Sequence, residues 1–219
     1  MRPAARVAGT ATSPVSTLEQ RVYHVTHLRN LAAIANEYAL VAGATPDFDL
    51  STPELRDERS AVVVTVGPDS MLSDYVPFFL SPDAALWQSL RAGHPHPRLS
   101  PAARGVDASE FVILVSSIRQ LVAASAHYVV TDGSAEGTLT RFATTREDAD
   151  RMLRRLRADS TGDALLEAEV LVADRVPLDA VTLVGVGNEK VRAQVREALE
   201  GSGFTPKISV YPPWFLAAE

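Results

Sequence analysis

Short apolar runs recur along the chain, and those rich in β-branched and aromatic residues predict strands. The predicted strands are Arg21–Thr26, Val62–Val66, Phe111–Ser116, Tyr128–Thr131, Leu165–Ala173, Val181–Val186 and Lys207–Tyr211. Tyr75–Leu80 is also extended, but it contains Pro77. Because proline cannot donate to a ladder, this segment is predicted to be an edge strand or to contain a bulge.

Apolar residues spaced three and four apart predict the helices between these strands. Helices are expected from about Leu28 to Tyr38, from Pro82 to about Ala92, over Ile118–Ala124, from Thr145 to about Ala158, and from Asn188 to Gly201. Loops are expected over Gly43–Pro53 and Gly93–Gly105. Strands outnumber helices and several follow one another directly. This order predicts an α+β fold with a mixed or largely antiparallel sheet.

The chain has 219 residues, of which 46% are apolar and 22% charged, as expected for one packed globular domain. Residues 1–16 lack the apolar segment of a signal peptide, so we interpret them as a flexible lead to a single domain at 17–219. No run approaches the length of a membrane span. A cytoplasmic location is therefore expected.

The composition excludes several kinds of chemistry. The chain has no cysteine, which excludes disulfides, thiolate zinc sites and cysteine nucleophiles. It has no phosphate-binding glycine motif and no serine-hydrolase elbow, and Gly185–Gly187 lacks the third glycine of a dinucleotide motif. No metal site is expected from the five histidines. The net charge of −6 means that any contact with nucleic acid must be local.

Three polar features stand out, and each has a structural and a functional interpretation. His24 and Thr26 share one strand face; Thr26 either caps the following helix, or the pair lines a pocket. A second feature is Arg59, with Arg56 before it, in a charged segment that is either a solvated helical turn or part of a site. The third is Glu169 in an apolar strand; it is expected to share a face with Glu167, on solvent or in a cleft.

Taken in order, five segments resemble the DarT family of NAD-dependent DNA ADP-ribosyltransferase toxins. YHVTHLRNL, LSDYVPFFL, VVTDGSAEGTLTRF and EAEVLVADRVP resemble the family's YHITHIxNL, LHDYVPFYF, FTDGHAA…TRF and QAEFLVxDxVP. The fifth segment, GVGNEKVRAQV followed by VYPPWF, resembles the end of the family's sequence. The resemblance extends from Tyr23 to about Phe215. It implies an ADP-ribosyltransferase fold around a split sheet, with NAD bound across it as a substrate and no metal.

The resemblance also implies the roles of individual residues. Glu169 falls on the family's catalytic glutamate, and Glu167 falls on its glutamine. The catalytic arginine is Arg59 by distance from the next motif, with Arg56 as the alternative. Implied NAD contacts are the HxT residues His24 and Thr26 together with Val25, Asn30, Leu31 and Arg59. Carboxylates stabilise the related oxocarbenium-like transition state of glycosidases, so a glutamate suits the cleavage of NAD.

In the family, the segment before the catalytic glutamate, here about 132–169, guides single-stranded DNA. The implied DNA contacts are Tyr75, Thr131, Asp132, Arg141 and Arg154. The predicted helix over 145–158 also carries Arg151, Arg155 and Arg157, and two interpretations of it stay open. Its arginines contact DNA, or they form intrahelical pairs, since Glu147–Arg151 and Asp150–Arg154 have i,i+4 spacing.

Two positions depart from the family's motifs. Asp83 stands where the family's PRSPM has arginine, and Ser134 stands where FTDGHAA has histidine. The acceptor base is therefore open between thymine and guanine, and a transferase acting on RNA or protein is the alternative. The family's activity is reversed by macrodomain hydrolases, so a macrodomain antitoxin is the implied partner.

Overall fold

The computed structural model describes residues 16–64 and 70–217. The predicted lead lies outside these residues except for Ser16, as do positions 65 and 66 of the predicted strand Val62–Val66. Within the described part, Val62–Val64 form no regular strand, and Val63 makes one isolated bridge to Met71. The prediction of a strand here is therefore wrong for the described residues.

The described strands form one large mixed sheet and one small sheet. The strands are β1 Arg21–His27, β2 Ala39–Val41, β3 Tyr75–Phe79, β4 Phe111–Ser117, β5 Tyr128–Thr131, β6 Phe142–Ala143, β7 Glu169–Ala173, β8 Arg175–Pro177, β9 Leu183–Val186 and β10 Lys207–Val210. The large sheet has eight strands in the order β10-β9-β4-β1-β3-β7-β5-β6, and β2 pairs with β8. Among the described pairs, β9–β10 is parallel and the others are antiparallel, which confirms the predicted sheet.

Helices flank the sheet and fill the connections between strands. They are α1 Leu31–Glu37, α2 Pro53–Ala61, α3 Ala85–Arg91, α4 Pro101–Arg104, α5 Ile118–Ala123, α6 Arg146–Ala158, α7 Asp163–Glu167 and α8 Glu189–Ala198. Short 3₁₀ turns lie at Thr17–Glu19, Leu28–Asn30, Leu72–Asp74, Ala108–Glu110, Leu178–Ala180 and Pro212–Trp214. The caps predicted from the sequence are present, since Thr145 and Asn188 accept hydrogen bonds from the first turns of α6 and α8.

The large sheet splits between β1 and β3. These strands are paired at Tyr23 and Phe79, whereas β1 pairs with β4 at seven positions and β3 with β7 at five. Pro77 therefore lies in an interior strand, and the prediction of an outer edge is wrong. The physical reason is local: the carbonyl of Pro77 points towards β1, where the Nδ1–H of His24 donates to it at 2.9 Å. A residue's nitrogen and carbonyl lie on the same side of a strand, so the missing N–H faces the split.

Both faces of the sheet are buried, which holds its central strands rigidly in place. On β4, Val112 and Leu114 pack into one core, while Phe111 and Ile113 pack into another with Trp87. The second core is closed by the C-terminal aromatic residues. The first glycine of the GVG sequence is explained by this packing. A Cβ on Gly185 would lie 2.8 Å from the ring of Trp214, which is too close.

Three further element predictions need correction. The helix expected from Pro82 begins at Ala85, because the Ser81 hydroxyl accepts from the Asp83 N–H and forms a turn first. The loop expected over Gly93–Gly105 contains the short helix α4. The strand expected over Leu165–Ala173 is half helix, since α7 extends to Glu167 and packs Leu165 against the core before β7 begins at Glu169.

Candidate active site

Glu169 is the first residue of β7 and its side chain is completely buried. The hydroxyl of Thr131 accepts from its backbone N–H at 2.9 Å. The side chain lies between two arginines: Arg98 Nη2 donates to Oε1 at 2.8 Å, and Arg59 Nη1 is 3.7 Å from Oε2. Oε2 accepts no hydrogen bond from any described residue. One carboxylate oxygen is thus fixed and the other is free.

Glu167 does not share a face with Glu169, so the prediction that they project together is wrong. Glu167 is exposed at the end of α7, whereas Glu169 is buried in the sheet. The change from helix to strand between them removes the two-residue alternation on which the prediction rested.

Arg59 reaches the site from the last turn of α2. This helix begins at Pro53, which suits a first turn. Thr52 caps it, because its hydroxyl accepts from the Leu55 N–H at 3.1 Å. Arg56 lies on the outer side of the same helix and pairs with Asp49 at 2.7 Å. Of the two candidate arginines, the structure brings Arg59 to Glu169 and leaves Arg56 at the surface.

Two members of the site were missed by the sequence analysis. Arg98 comes from the loop before α4, and Glu136 comes from the loop between β5 and β6. Glu136 accepts from Arg59 Nη1 at 2.5 Å, and its other oxygen is 3.5 Å from Arg98 Nη2. The one available signal was in the resemblance, because Glu136 stands where the quoted motif FTDGHAA has its last alanine. Arg98 lies in a proline-rich loop without any periodicity and gave no signal.

Arg59, Arg98, Glu136 and Glu169 form what we call the charge cluster. Their side chains are between 0% and 16% exposed, and their formal charges sum to zero. Burial raises the pKa of Glu136, but the nearby Arg98 and Arg59 outweigh it and hold that pKa below its usual value. Burial lowers the pKa of Arg98, yet Glu169 and Glu136 raise it above the usual value overall. All four groups are therefore paired against opposite charges, which buried ions require.

The residues predicted to contact NAD lie at the split side of β1 and just after it. His24 is desolvated, which lowers its pKa, although its hydrogen bond to Pro77 acts in the opposite direction. The amide of Asn30 donates to the Thr26 hydroxyl at 3.0 Å and clamps Phe48 through two hydrogen bonds of 2.8 Å. Thr26 does not cap the next turn as one interpretation expected. The ring of His27 does so, because it accepts from the Arg29 N–H at 3.1 Å.

Val25 and Leu31, the remaining predicted NAD contacts, are mainly packing residues. Val25 is half-buried against the second core, and Leu31 is 1% exposed in the first. The buried side chain of Leu31 leaves its backbone as the part that could reach a ligand.

The predicted DNA contacts fall into a buried and an exposed group. Tyr75 and Thr131 are buried; the Tyr75 hydroxyl donates to Ser70 at 3.1 Å and the Thr131 hydroxyl donates to the Gly133 carbonyl at 2.7 Å. Both hydroxyls therefore have partners inside the protein, and Thr131 also supports the backbone of Glu169; contact of these two residues with DNA stays a prediction. Asp132 and Arg141 begin and end the loop between β5 and β6. An open groove of about 450 Å³ lies along Asp132 and residues 137–140.

The structure divides the arginines of α6 between the two interpretations. Arg151 pairs with Glu147 at 3.0 Å, as the intrahelical interpretation expected, and Arg155 pairs with Asp132 at 2.8 Å. The expected Asp150–Arg154 pair is not formed, because Asp150 accepts from the Thr17 hydroxyl. Arg154 is exposed, and no ion pair of its side chain is found among residues 16–64 and 70–217. Arg154 is thus available to an anionic ligand, as is Arg146 in the first turn, which is also exposed and forms no ion pair among the described residues.

Two further features, a metal-binding group and a membrane-spanning helix, are absent from the described residues. They contain no group of three or more histidine, aspartate or glutamate side chains placed to hold a metal ion. In the same part of the chain, none of the helices has the length and apolar character needed to cross a membrane.

Comparisons with known proteins agree with this geometry. The family model described as "DarT: ssDNA thymidine ADP-ribosyltransferase, DarT" matches residues 23–216. A protein of Escherichia coli O127:H6 named DNA ADP-ribosyl transferase is 26% identical over 179 residues, covering 78% of this chain and 79% of that protein.

Two solved structures of one Thermus protein are also similar. Thermus sp. 2.9 DarT in complex with ADP-ribosylated ssDNA matches with a TM-score of 0.77 and 20% identity, covering 93% of this chain and 100% of the other. The same protein in complex with NAD⁺ matches with a TM-score of 0.72 and 22% identity at the same coverage. At this identity the likeness supports the predicted ADP-ribosyltransferase fold.

Proposed function

Since the chain belongs to the DarT family of ssDNA thymidine ADP-ribosyltransferases, we propose that it transfers ADP-ribose from NAD to thymine in single-stranded DNA, with Glu169 as the catalytic carboxylate. The observation that carries the assignment of the site is the state of Glu169: it is completely buried, and one of its oxygens is unoccupied. An acceptor kept free in a buried position is costly unless a ligand uses it.

The reaction breaks the bond between the ribose C1′ and the nicotinamide nitrogen, and the bonding electrons leave with nicotinamide. The ring nitrogen of the base forms the new bond to C1′ and releases a proton. Glu169 serves both stages. Its negative charge stabilises the oxocarbenium-like transition state, and its free Oε2 accepts a hydrogen bond from a ribose hydroxyl or takes up the proton that the base releases.

Arg59 is proposed as the second catalytic residue. Its planar guanidinium suits a phosphate or carbonyl oxygen, and its position 3.7 Å from Glu169 allows it to hold the acceptor against the reacting carbon. NAD is proposed to lie along the split between β1 and β3, near His24, Thr26 and Asn30. The free ring nitrogen of a neutral His24 is then an acceptor at this edge, since Nδ1–H is held by Pro77.

Single-stranded DNA is the proposed acceptor because a base must leave its stack to react, and a single strand avoids the few kcal/mol that extrusion from a duplex costs. The strand is proposed to cross the exposed arginines Arg141 and Arg154 and the groove beside Asp132. Thymine is favoured over guanine because the matching family model names thymidine.

A macrodomain hydrolase that removes the ADP-ribose is the proposed partner, because an enzyme that modifies its own cell's DNA needs a reversing activity. Action on DNA also supports a cytoplasmic location for this toxin-type enzyme.

The test is to incubate the protein with NAD and single-stranded oligonucleotides that each contain one kind of base, and to identify the products by mass spectrometry. We expect addition of one ADP-ribose to the thymine oligonucleotide with release of nicotinamide. Matched duplexes and the Glu169→Gln variant are the controls, and both should give little product. A clear product on RNA or protein with none on DNA would support the alternative transferase, and a product on guanine alone would correct the base.

A further inference from the structure

Arg98 lies closer to Glu169 than any other charged group does. Its Nη2 donates to Oε1 at 2.8 Å, whereas Arg59 is 3.7 Å from Oε2. The Arg98 side chain is 16% exposed, and its Nε has no described partner. Its main contact is thus with the carboxylate that carries the proposed reaction.

The backbone of Arg98 is fixed to the segment that leads into α2. The carbonyl of Arg98 accepts from the N–H of Thr52, the residue that caps α2, at 3.3 Å. Ser51 and Leu99 form a bridge beside it, and the Ser100 N–H donates to the Leu50 carbonyl at 2.8 Å. Backbone hydrogen bonds therefore join the segment that carries Arg98 to the segment that leads into α2, the helix that carries Arg59.

This arrangement decides which oxygen of Glu169 is left for a substrate. The hydrogen bond from Arg98 occupies Oε1, and the Thr131 hydroxyl anchors the backbone of the same residue. The side chain is thereby turned so that Oε2 is the free acceptor.

We propose that Arg98 is a positioning residue of the reaction, which keeps Glu169 turned with Oε2 towards the substrate. The inference rests on the proposed function, because it takes Glu169 as the catalytic carboxylate. It assigns Arg98 no contact with NAD or DNA.

The charged groups around Glu169 come from three elements. They are Arg59 from α2, Arg98 from the loop before α4 and Glu136 from the loop after β5. Without Arg98, no described group would donate a hydrogen bond to Glu169 Oε1, and the carboxylate would lose the contact that sets its orientation.

The experiment compares Arg98→Gln and Arg98→Lys with the wild type, using transfer to a thymine oligonucleotide as the activity. For Arg98→Gln we expect kcat to fall about 10²-fold, as misplacement of a reacting group by about 1 Å commonly causes. The KM for NAD should stay within about threefold. Arg98→Lys keeps a cationic donor but lacks the planar fork of arginine, so it should restore only part of kcat.

Arg119→Gln is the control, because Arg119 forms an ion pair with Glu19 at the surface, far from the cluster in sequence. This control variant should match the wild type in kcat and in the KM for NAD. If Arg98→Gln fails to fold, the Arg98→Lys variant still tests the inference through its partial loss of kcat.

Two results would overturn the inference while leaving the proposed function intact. They are a normal kcat in a folded Arg98→Gln variant and a loss confined to the KM for NAD. Absence of transfer by the wild type would instead contradict the proposed function, and the role of Arg98 with it.

Discussion

Arg59 is held more closely by Glu136 than by Glu169, since its Nη1 is 2.5 Å from Glu136 Oε1 and 3.7 Å from Glu169 Oε2. The Ser134 hydroxyl donates to the other oxygen of Glu136 at 2.8 Å and fixes it in place. In the free protein, the proposed catalytic arginine is therefore paired with a carboxylate that stands where the family's motif has alanine.

The first prediction concerns this competition. Glu136→Gln changes the formal charge of the cluster from zero to +1, so binding of the anionic NAD should improve. A gain of about 1 kcal/mol, or about fivefold in Kd, is expected. Isothermal titration calorimetry measures it, and Glu58→Gln on the exposed side of α2 is the control, because it changes the net charge equally without touching the cluster. Weaker NAD binding in a folded Glu136→Gln variant would contradict the prediction.

The second prediction separates Glu169 from its sequence neighbour Glu167. Glu169→Gln keeps the shape and an acceptor for Arg98 but removes the charge, and transfer should fall by about 10²–10³-fold. Glu167→Gln should keep the rate within about twofold, because Glu167 is exposed at the end of α7. Rates of nicotinamide release and melting temperatures measure both variants. The assignment fails if Glu169→Gln turns over NAD on DNA at the normal rate.

The third prediction concerns the pH dependence of folding. Burial lowers the pKa values of His24, His27 and His96 below the usual histidine value of about 6.5. The unfolded chain then binds protons first as the pH falls below about 6.5, so the free energy of unfolding decreases on acidification. The loss is up to about 1.4 kcal/mol per pH unit for each histidine that stays neutral when folded.

Urea unfolding at pH 7.5 and pH 5.5 measures this loss. His24→Asn is the matched variant, because its amide can still donate to Pro77 but does not titrate. Its stability should change less between the two pH values than that of the wild type. An equal change in both proteins would show that His24 does not contribute.

The fourth prediction uses two arginines of α6. Arg154 is exposed without an ion pair among the described residues, whereas Arg151 is neutralised by Glu147 and Asp148. Arg154→Ala should weaken binding of single-stranded DNA and reduce the salt slope of binding by about 0.7, the value for one phosphate contact. Arg151→Ala should have a smaller effect. Fluorescence anisotropy over a salt series measures the affinity for single-stranded DNA and its salt slope. Equal effects of the two variants would mean that α6 acts through its overall charge.

Local sequence patterns predicted most strands and helices correctly where local preferences alone decide the secondary structure. Apolar runs rich in β-branched and aromatic residues identified β1, β4 and β5, and hydroxyl or amide caps identified the starts of α6 and α8. The patterns failed where tertiary contacts competed. Leu165 is apolar in either a strand or a helix, and its packing against the core placed it in α7.

The candidate site shows the same division. The motifs indicated Glu169 and Arg59, and the structure brings these two together. It also gave Thr131 a role that the sequence did not predict, because its buried hydroxyl supports the Glu169 backbone.

The sequence by itself determined most of the strands and helices, the family resemblance and the two residues on which the chemistry was expected to depend. Tertiary structure alone decided the electrostatics of the site. Arg98 and Glu169 are 71 residues apart in sequence, and Arg59 and Glu136 are 77 apart. No local periodicity connects such positions, since an ion pair forms wherever the packed sheet and its loops bring opposite charges together away from water. Burial between β7, α2 and two loops therefore made four scattered charges into one site.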